Sequence, residues 1–483
     1  EKEPTADGWL ATISFNNGPE YEAAVQDPFT PAEEERLGWY YEQWLSFPFT
    51  GTVKARKAAE STTAYGHALF EQLFRQNPDI VAEYKMAVRD YGYGKLAFDI
   101  RGSLGFHALH WEALKDPQHG RPFAVECPFV RQNSTPPNLH APWRPAPTLN
   151  VLLVTARPSG RQDVAYRTIS RPLVEGLQNS RLRAQIDIVR PGTYKALLRH
   201  LEEARDQHGA GYYHLIHFDL HGGLLTYEQY ERIEQSASDS AANRWLYKGY
   251  GQKPLEKYAG QKAFLFFEGQ ETGQPDAVSD VDVADLLQAH QIPVAVLNAC
   301  QSGKQVGDAE TSLGQRLMEA GVQQVVAMGY SVSVTAAEVL MQSLYAQLLA
   351  EKPLQMALRQ ARLELYNHKQ RRGGFKQSVE LEDWLLPVAY QNRPVQVRVA
   401  NFADAAQEAA HYERLAARYP APTPTYGFWG RDVDILEIEK RLLGEGSAAS
   451  NLLLVQGMGG AGKTTLLQHL MAWWQTTRLV EQV

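Results

Sequence analysis

The sequence predicts an α/β protein in which a mainly parallel β-sheet lies between layers of helices. From Leu149 onwards, short apolar runs of strand length alternate with helical patterns. These runs are largely apolar rather than alternating, which is typical of parallel strands that are covered on both faces. Two of them end in chemically reactive residues, one at His221 and one at Cys300. Sites of such sheets gather at the carboxyl ends of the strands, so the sequence predicts a site at this edge.

The composition excludes several classes of protein. The chain has 483 residues, of which 44% are hydrophobic, and a net charge of −7 from 48 basic and 55 acidic residues. A large core is therefore available, and no overall positive charge favours nucleic acid or an anionic membrane. Its two cysteines, Cys127 and Cys300, exclude a disulfide scaffold and are typical of a reducing, cytoplasmic compartment. No apolar run reaches the ~18 residues that a membrane span needs.

Residues 1–145 are predicted to form an N-terminal α/β half. The predicted elements are strands at 10–15 and 123–130, helices at 31–45 and 55–75, and a strand followed by a helix within 95–114. Residues 136–147 are rich in proline and lack periodicity, which indicates a connector.

Residues 146–402 are predicted to form the domain that contains the main sheet. The predicted strands are 149–155, 185–189, 213–218, 263–267, 293–297, 324–328 and 395–399. The predicted helices are 168–178, 193–206, 281–290, 312–320, 336–350 and 353–368. Residues 224–261 interrupt this alternation without a clear period, so we expect a long loop or insertion beside the site.

The sequence indicates a cysteine nucleophile and a histidine base at the carboxyl ends of the strands of this sheet. One buried run leads to Cys300, and another leads to His221, which is followed by Gly222. An imidazole beside a thiol holds the thiolate as an ion pair and later donates a proton to a leaving amine. A lone cysteine is more often a small buried residue, but its position at one strand end, with a histidine at another, favours catalysis.

Three histidines, His214, His217 and His221, lie within eight residues. Side chains alternate between the faces of a strand, so His214 and His217 point in opposite directions and cannot share one ion. We therefore expect no metal site. We assign His221 to catalysis, His217 to the core or the site wall, and His214 to structure. Cys127, which is followed by proline, is expected to pack in the core.

The residues around both strand ends resemble a known family. Residues 217–222 (His-Phe-Asp-Leu-His-Gly) and 297–303 (Leu-Asn-Ala-Cys-Gln-Ser-Gly) resemble the two signatures of CHAT domains, which are relatives of caspases, separases and gingipains. The resemblance implies a caspase-like three-layer fold and an endopeptidase with His221 as general base and Cys300 as nucleophile. It also implies an oxyanion hole formed by the backbone N–H groups of Gly222 and Cys300, in which one donor contributes ~3 kcal/mol.

The same resemblance indicates which residues line the primary specificity pocket. In this clan they follow the first strand and the cysteine, which points to Arg157, Asp163 and Asp308. An acidic pocket selects Arg or Lys, and a basic pocket selects Asp or Glu. An apolar pocket is an equally good alternative, so the sequence does not select the preferred substrate residue.

A phosphate-binding loop follows a proline-rich linker at residues 403–426. An apolar run at 451–456, predicted to be a strand, leads into Gly-Met-Gly-Gly-Ala-Gly-Lys-Thr-Thr at 457–465 and then into an amphipathic helix. This order of strand, loop and helix is the context that a P-loop requires. The candidate nucleotide contacts are Gly457, Gly459, Gly460, Gly462, Lys463, Thr464 and Thr465. Backbone N–H groups cradle the phosphates of ATP or ADP, Lys463 reaches the β and γ phosphates, and Thr464 ligates Mg²⁺.

The element before the loop resembles the start of STAND ATPases, the signalling switches of the NACHT and NB-ARC type. The resemblance rests on residues 427–432, Gly-Phe-Trp-Gly-Arg-Asp. The chain ends 18 residues after Thr465, without a second acidic strand to hold the metal. We therefore expect residues 427–483 to be the N-terminal fragment of such a domain, in a longer protein whose sensor is missing from this chain. ATP hydrolysis by the fragment is not expected.

Two functions remain open at this stage. The first is a cysteine endopeptidase effector that cleaves a protein substrate without a cofactor, is regulated by the STAND switch in signalling or bacterial-type defence, and self-associates on activation. The second is a catalytically silent caspase-like module that serves assembly of a signalling ATPase. Neither nucleic acid nor membrane is an expected partner.

Overall fold

The computed structural model describes most of the chain. The described residues are 1–5, 8–133, 137, 141–160, 163, 166–167, 169–178, 183–236, 255–269, 273–299, 313–420, 428, 430–443 and 450–480. Cys300 and Asp308 lie outside them. Within these ranges, no helix is long and apolar enough to cross a membrane.

The strands of the described residues fall mainly in the first four fifths of the chain. They are β1 Glu3–Thr5, β2 Gly8–Ser14, β3 Glu20–Val25, β4 Phe98–Gly102, β5 Phe129–Asn133, β6 Leu149–Thr155, β7 Ala184–Val189, β8 Leu215–Asp219, β9 His221–Leu225, β10 Lys262–Glu268, β11 Pro275–Ser279, β12 Val294–Asn298, β13 Gln324–Met328, β14 Gln370–Arg372, β15 Ser378–Glu380 and β16 Pro387–Gln391.

The α-helices of the described residues extend to the C-terminal segment. They are α1 Pro31–Glu42, α2 Thr52–Phe70, α3 Pro78–Tyr91, α4 Leu104–Ala108, α5 Phe123–Glu126, α6 Ser170–Gln178, α7 Tyr194–His208, α8 Tyr227–Ser236, α9 Asp280–Ala289, α10 Leu313–Glu319, α11 Val334–Leu349, α12 Leu354–Asn367, α13 Ala405–Ala416, α14 Asp432–Leu443 and α15 Lys463–Thr476.

An eight-stranded sheet forms the centre of the fold, with the order β4-β5-β16-β13-β12-β8-β6-β7. The strands from β13 to β7 are all parallel to one another, whereas β16 is antiparallel to β13 and carries β5 and β4 parallel to itself. The predicted mixed α/β fold with a mostly parallel sheet is therefore confirmed.

Alternation along the strands explains why helices cover both faces of this sheet. On β6, Val151 and Leu153 pack into one buried core with α6, α11 and α12. Leu152 and Val154 pack into a second core with α7, α9 and α10. Successive side chains on a strand point to opposite faces, so a strand that is apolar throughout must be buried on both faces. Serine and threonine caps set the start of several helices; the side chain of Thr193, for example, accepts a hydrogen bond from the backbone N–H of Ala196 at the start of α7.

A second sheet stands beside the site and differs from the prediction. The run at 263–267 was expected in the main sheet, but β10 pairs antiparallel with β9 and β11 in a separate three-stranded sheet. The region 224–261, expected to be a loop, contains the end of β9 and the helix α8. The reason is local: the chain turns after β8 and continues as β9, which pairs with β10 rather than with a strand of the main sheet.

Two of the strands predicted before residue 400 are wrong. The segment at 123–130 begins as the short helix α5 after Pro122, and β5 starts only at Phe129 because Pro128 cannot continue a helix. The segment at 395–399 forms no strand. Val395 and Val397 are buried and alternate with exposed residues, but no strand among the described residues pairs with them. The strand beside β13 is instead β16, at Pro387–Gln391.

The C-terminal segment packs against the main domain. Ile435 and Leu436 of α14 and Leu470 of α15 are buried in the same core as β6. The strand predicted at 451–456 is not formed: Leu452 is 88% exposed and Leu454 is 76% exposed, and none of the strands in the described ranges pairs with them. A strand needs a partner for its backbone groups, so an apolar run alone does not produce one here.

Candidate functional site

The carboxyl ends of three adjacent strands form the floor of the candidate site. In the register of the sheet, Thr155 of β6 lies opposite Asp219 of β8, and Asp219 lies opposite Asn298 of β12. Asn298 Nδ2 donates a hydrogen bond to Asp219 Oδ1 at 3.1 Å. His221 follows Asp219 by two residues and Cys300 follows Asn298 by two. The two strand ends that the sequence singled out are therefore neighbours.

His221 lies at the start of β9 and is partly open to solvent. Its side chain is 42% exposed, and its Nε2 atom lies 2.5 Å from Oδ1 of Asp163. The Asp163 side chain is fully buried, and its Oδ2 atom accepts a hydrogen bond from the backbone N–H of Ser159 at 3.2 Å. A buried carboxylate that is itself held by the backbone fixes the orientation of an imidazole. Asp163, a candidate for the specificity pocket in the sequence, therefore contacts the candidate base.

Arg157 lies beside the same strand ends but is occupied by neighbouring groups. Its Nη2 atom donates to Asp219 Oδ2 at 2.8 Å, and its Nη1 atom donates to the carbonyl oxygens of Ala156 at 2.9 Å and Asp219 at 2.8 Å. The side chains of both charged residues are at most 5% exposed. This ion pair therefore binds the end of β6 to the end of β8.

The other sequence-predicted catalytic groups are placed only in part. Cys300, the candidate nucleophile, and Asp308 are outside the described residues. Gly222 lies in β9 opposite Leu265 of β10, directly after the candidate base. Cys127 is buried, its thiol donates to the carbonyl oxygen of Phe123 at 3.1 Å, and burial raises its pKa to about 12. The expectation that Cys127 packs in the core is confirmed.

The remaining two histidines of the cluster are buried structural side chains. His217 Nδ1 lies 2.7 Å from the hydroxyl oxygen of Tyr345, and burial lowers the pKa of His217 to about 4. His214 accepts from the backbone N–H of Asn150 at 3.0 Å and contacts the carbonyl oxygen of Arg144 at 2.7 Å. Among the described residues, no group of three or more His, Cys, Asp or Glu side chains could hold a metal ion.

A chain of buried charges connects the site floor to the C-terminal segment. Arg190 Nη1 donates to Glu268 Oε1 at 2.8 Å, and Arg190 Nε donates to Glu439 Oε2 of α14 at 3.1 Å. Glu268 Oε1 also accepts from the backbone N–H of Arg157 at 3.0 Å. Burial alone raises the pKa of Glu268, but the charges of Arg190 and Lys440 outweigh it and lower that pKa. The two carboxylates and the guanidinium therefore form one buried bridge.

A further contact holds the C-terminal helices in place. Arg167 Nε lies 2.8 Å from Asp432 Oδ1 at the start of α14, and its Nη1 atom contacts His469 of α15. The ring of Phe428 stacks on His469 with 3.9 Å between centroids. Burial, together with nearby arginines, lowers the pKa of His469 to about 4. The neutral imidazole can therefore accept a hydrogen bond from Arg167.

The glycine-rich loop leads directly into α15. Lys463 Nζ donates to the carbonyl oxygens of Gly457 at 2.9 Å and Met458 at 2.8 Å, so the loop curls around its lysine. Gly460 and Gly462 have φ of 77° and 82°, which side chains other than glycine rarely adopt. A Cβ atom at Gly459, Gly460 or Gly462 would meet nothing within 4 Å, so no neighbouring group crowds the backbone at these three glycines. An uncrowded glycine backbone and a lysine at the start of a helix are features that a phosphate-binding loop needs.

Two groups of site residues escaped the sequence analysis. Asp163 was named for a different role, because a lone acidic residue in a loop carries no signal for a partner 58 residues away. Arg190 and Glu439, 249 residues apart, were not named at all. A charged residue within an apolar pattern could have indicated a buried ion pair at both positions, since Lys, Arg, Asp and Glu are rarely buried unless they are paired.

The chain is similar to one family model and to several solved structures. The family model of the CHAT domain matches residues 63–430. Gingipain R, described as an Arg-specific cysteine proteinase, is similar at 10% identity with a TM-score of 0.40, over 72% of this chain and 77% of that chain. The complex of pro- and mature domains of RgpB from Porphyromonas gingivalis is similar at 11% identity with a TM-score of 0.35, over 70% and 76%.

A separase–securin complex from Saccharomyces cerevisiae is similar at 11% identity with a TM-score of 0.31, over 77% of this chain and 22% of that chain. No curated protein matches the chain. The CHAT model covers about three quarters of the residues. The chain therefore belongs to the CHAT domain family, in the clan of caspase-like cysteine peptidases.

Proposed function

We propose that this chain is a cysteine endopeptidase in which His221 is the general base and Cys300 the nucleophile. The observation that carries the proposal is the half-exposed imidazole of His221 held by the buried carboxylate of Asp163, at a strand end that neighbours the strand leading to Cys300. A nucleophile, a base and a group that orients the base are the parts that covalent catalysis of acyl transfer needs.

The proposed reaction uses His221, Cys300 and Gly222 in turn. Because Nε2 of His221 is bonded to Asp163, Nδ1 is assigned to proton transfer. The Cys300 thiol gives its proton to Nδ1, and its sulfur forms a bond to the scissile carbonyl carbon while the carbonyl π electrons move to oxygen. Backbone N–H groups of Gly222 and Cys300 stabilise this oxyanion. His221 then protonates the leaving amine as the C–N bond breaks, which leaves a thioester.

Water completes the cycle. His221 takes a proton from the water molecule as its oxygen attacks the thioester carbonyl, and the carbon–sulfur bond breaks as the second peptide product leaves. The proton returns to the Cys300 sulfur. Asp163 stays ionised throughout and holds the imidazole ring in one orientation, which is the contribution of a positioning residue. No cofactor takes part in these steps.

We also propose that the C-terminal segment regulates this peptidase. The support is a continuous set of contacts from the glycine-rich loop to the site floor. The indole N–H of Trp474 in α15 donates to Glu439 at 3.0 Å. Glu439 is bonded to Arg190, Arg190 to Glu268, and Glu268 to the backbone of Arg157. A shift of α14 or α15 therefore disturbs the Arg157–Asp219 pair beside His221.

We propose a nucleotide as the ligand of this segment, on the glycine-rich loop and the lysine at the start of α15, although the strand that usually precedes such a loop is not formed. The backbone of residues 457–462, Lys463, Thr464 and Thr465 would hold the phosphates of ATP or ADP and a Mg²⁺ ion. A bound nucleotide supplies phosphate charge and a metal that order the loop. We propose a STAND-type switch in a longer protein, in which a sensor outside this chain triggers self-association and raises the basal cleavage of a protein substrate in the cytoplasm.

The test is a proteome digest. A cell lysate is treated with the wild-type chain, with Cys300→Ala and with Cys127→Ala, and new peptide N-termini are identified by mass spectrometry. We expect new termini with the wild-type and Cys127→Ala chains and none with Cys300→Ala. Equal termini from the wild-type and Cys300→Ala chains would contradict the mechanism. No termini from any chain would favour the catalytically silent assembly module.

A further inference from the structure

A pocket of about 80 Å³ opens beside His221, at the carboxyl ends of β6, β8, β12 and β13. We call it the Arg157 pocket, because Arg157 lines it together with Asp219, His221 and Asn298. It adjoins Ala299, the residue before Cys300. In the proposed peptidase, a substrate residue whose carbonyl carbon reaches Cys300 (the P1 residue) places its side chain in this pocket.

The wall of the Arg157 pocket is aliphatic. Ile169, Met328, Val332, Val334 and Ala337 line it, and they come from the turn before α6, the end of β13 and the start of α11. About 10–15 Å³ suffices for one water-sized group, so a pocket of about 80 Å³ holds several such groups. At that size the pocket has room for about five to eight water-sized groups, which is enough for the side chain of valine, leucine or methionine.

The two full charges in the described lining neutralise each other. Arg157 donates to the Asp219 carboxylate at 2.8 Å and to two carbonyl oxygens, and Asp219 also accepts from Asn298. Both side chains are at most 5% exposed. A substrate Asp or Glu would have to compete with Asp219 for the guanidinium, and a substrate Lys or Arg with Arg157 for the carboxylate. Breaking a buried pair costs more than the new contact returns.

We propose that the Arg157 pocket selects an aliphatic P1 residue, so that this CHAT chain cleaves after valine, leucine or methionine. The inference rests on the proposed peptidase function and specifies its substrate class. The Arg157–Asp219 pair forms the neutral polar end of the pocket, and the start of α11 forms its apolar, partly open side. A hydrophobic pocket discriminates against a wrong side chain by roughly 10–200-fold per missing or extra group.

The test compares P1 preference in two matched variants. Val334 is 41% exposed in the first turn of α11, and Val281 is 36% exposed in the first turn of α9 and lines no part of this pocket. Both helices have a serine N-cap, and an aspartate is favourable in the first turn of a helix, so both Val334→Asp and Val281→Asp are expected to fold.

We measure kcat/KM on a peptide library that varies the P1 residue. The wild-type and Val281→Asp chains are expected to prefer aliphatic P1 residues over Lys, Arg, Asp and Glu by at least ~10-fold. Val334→Asp is expected to lose at least ~10-fold on aliphatic P1 residues and to gain cleavage after Lys or Arg. Wild-type cleavage after a charged residue, or equal effects of both variants, overturns this inference alone. No cleavage of any peptide by the wild-type chain overturns the proposed function together with it.

Discussion

Replacement of Arg190 by methionine is expected to lower the melting temperature of the chain by ~3–5 °C. The Arg190 side chain is 0% exposed, and it lies between Glu268 at 2.8 Å and Glu439 at 3.1 Å. Its removal leaves two buried carboxylates without the cation between them. Breaking a buried pair in this way costs about 3–5 kcal/mol.

The temperature shift follows from the size of the chain. Unfolding entropy is ~2.1 cal/mol/K per residue, which gives ~1 kcal/mol/K for 483 residues. A loss of about 3–5 kcal/mol therefore corresponds to ~3–5 °C. Lys440, 3.7 Å from Glu268, and the indole N–H of Trp474, 3.0 Å from Glu439, still contact the two carboxylates after the change. Because these two contacts remain, we expect the melting temperature to fall by the amount for one broken pair and not by the larger amount for two.

Differential scanning calorimetry at pH 7 measures this shift. Arg56→Met is the matched control, because Arg56 is 71% exposed and lies 3.8 Å from Glu60. An exposed pair contributes at most ~1 kcal/mol, so the control should shift by ~1 °C or less. The double variant Arg190→Met/Glu439→Met should lose less stability than the two single variants added together. A shift no larger than that of Arg56→Met, or strict additivity, would refute the buried bridge between α14 and the main sheet.

Three more predictions concern the base, acid stability and the nucleotide loop. Asp163→Asn should lower kcat by ~10–100-fold with little change in KM, because the amide holds the His221 ring less firmly; an unchanged kcat would contradict its positioning role. Burial lowers the pKa of His217 and His290 to about 4, so the unfolded chain takes up protons first as the pH falls through ~6.5. The free energy of unfolding at pH 7 should therefore fall towards pH 4, by ~2 kcal/mol per histidine at pH 5. Urea unfolding at pH 7 and pH 5 should show a smaller fall for His217→Phe than for wild type, and an equal fall would contradict the neutral state of His217. Lys463→Ala should weaken binding of a fluorescent ATP analogue at least ~10-fold, and binding equal to wild type would exclude the loop as the nucleotide site.

The sequence predicted the centre of the main sheet because local and long-range forces agree there. The strands 149–155 and 324–328 match β6 and β13 residue for residue, since an apolar run buried on both faces has one stable arrangement. Helices with clear caps were also predicted well, as at Thr193 and Ser279. The positions of His221 and Asn298 at neighbouring strand ends follow from the same parallel arrangement.

Features that depend on distant partners were not predictable in this way. Val395 and Val397 alternate like a strand but meet no neighbouring strand, whereas Pro387–Gln391 begins with proline and still pairs with β13. The run at 451–456 is apolar yet mostly exposed, and within the part of the chain that the structure describes no strand lies next to it. The bond between His221 and Asp163 joins a strand to a loop, and no local pattern records such a pairing.

Intact-mass spectrometry with a peptidyl acyloxymethyl ketone that carries leucine at P1 tests the central claim most directly. This electrophile alkylates the sulfur of a cysteine that a neighbouring base has activated. The account predicts one adduct on the wild-type and Cys127→Ala chains, at Cys300 by peptide mapping, and none on Cys300→Ala or His221→Ala. An adduct that persists in Cys300→Ala, or one that forms at the wild-type rate in His221→Ala, would contradict the His221–Cys300 mechanism.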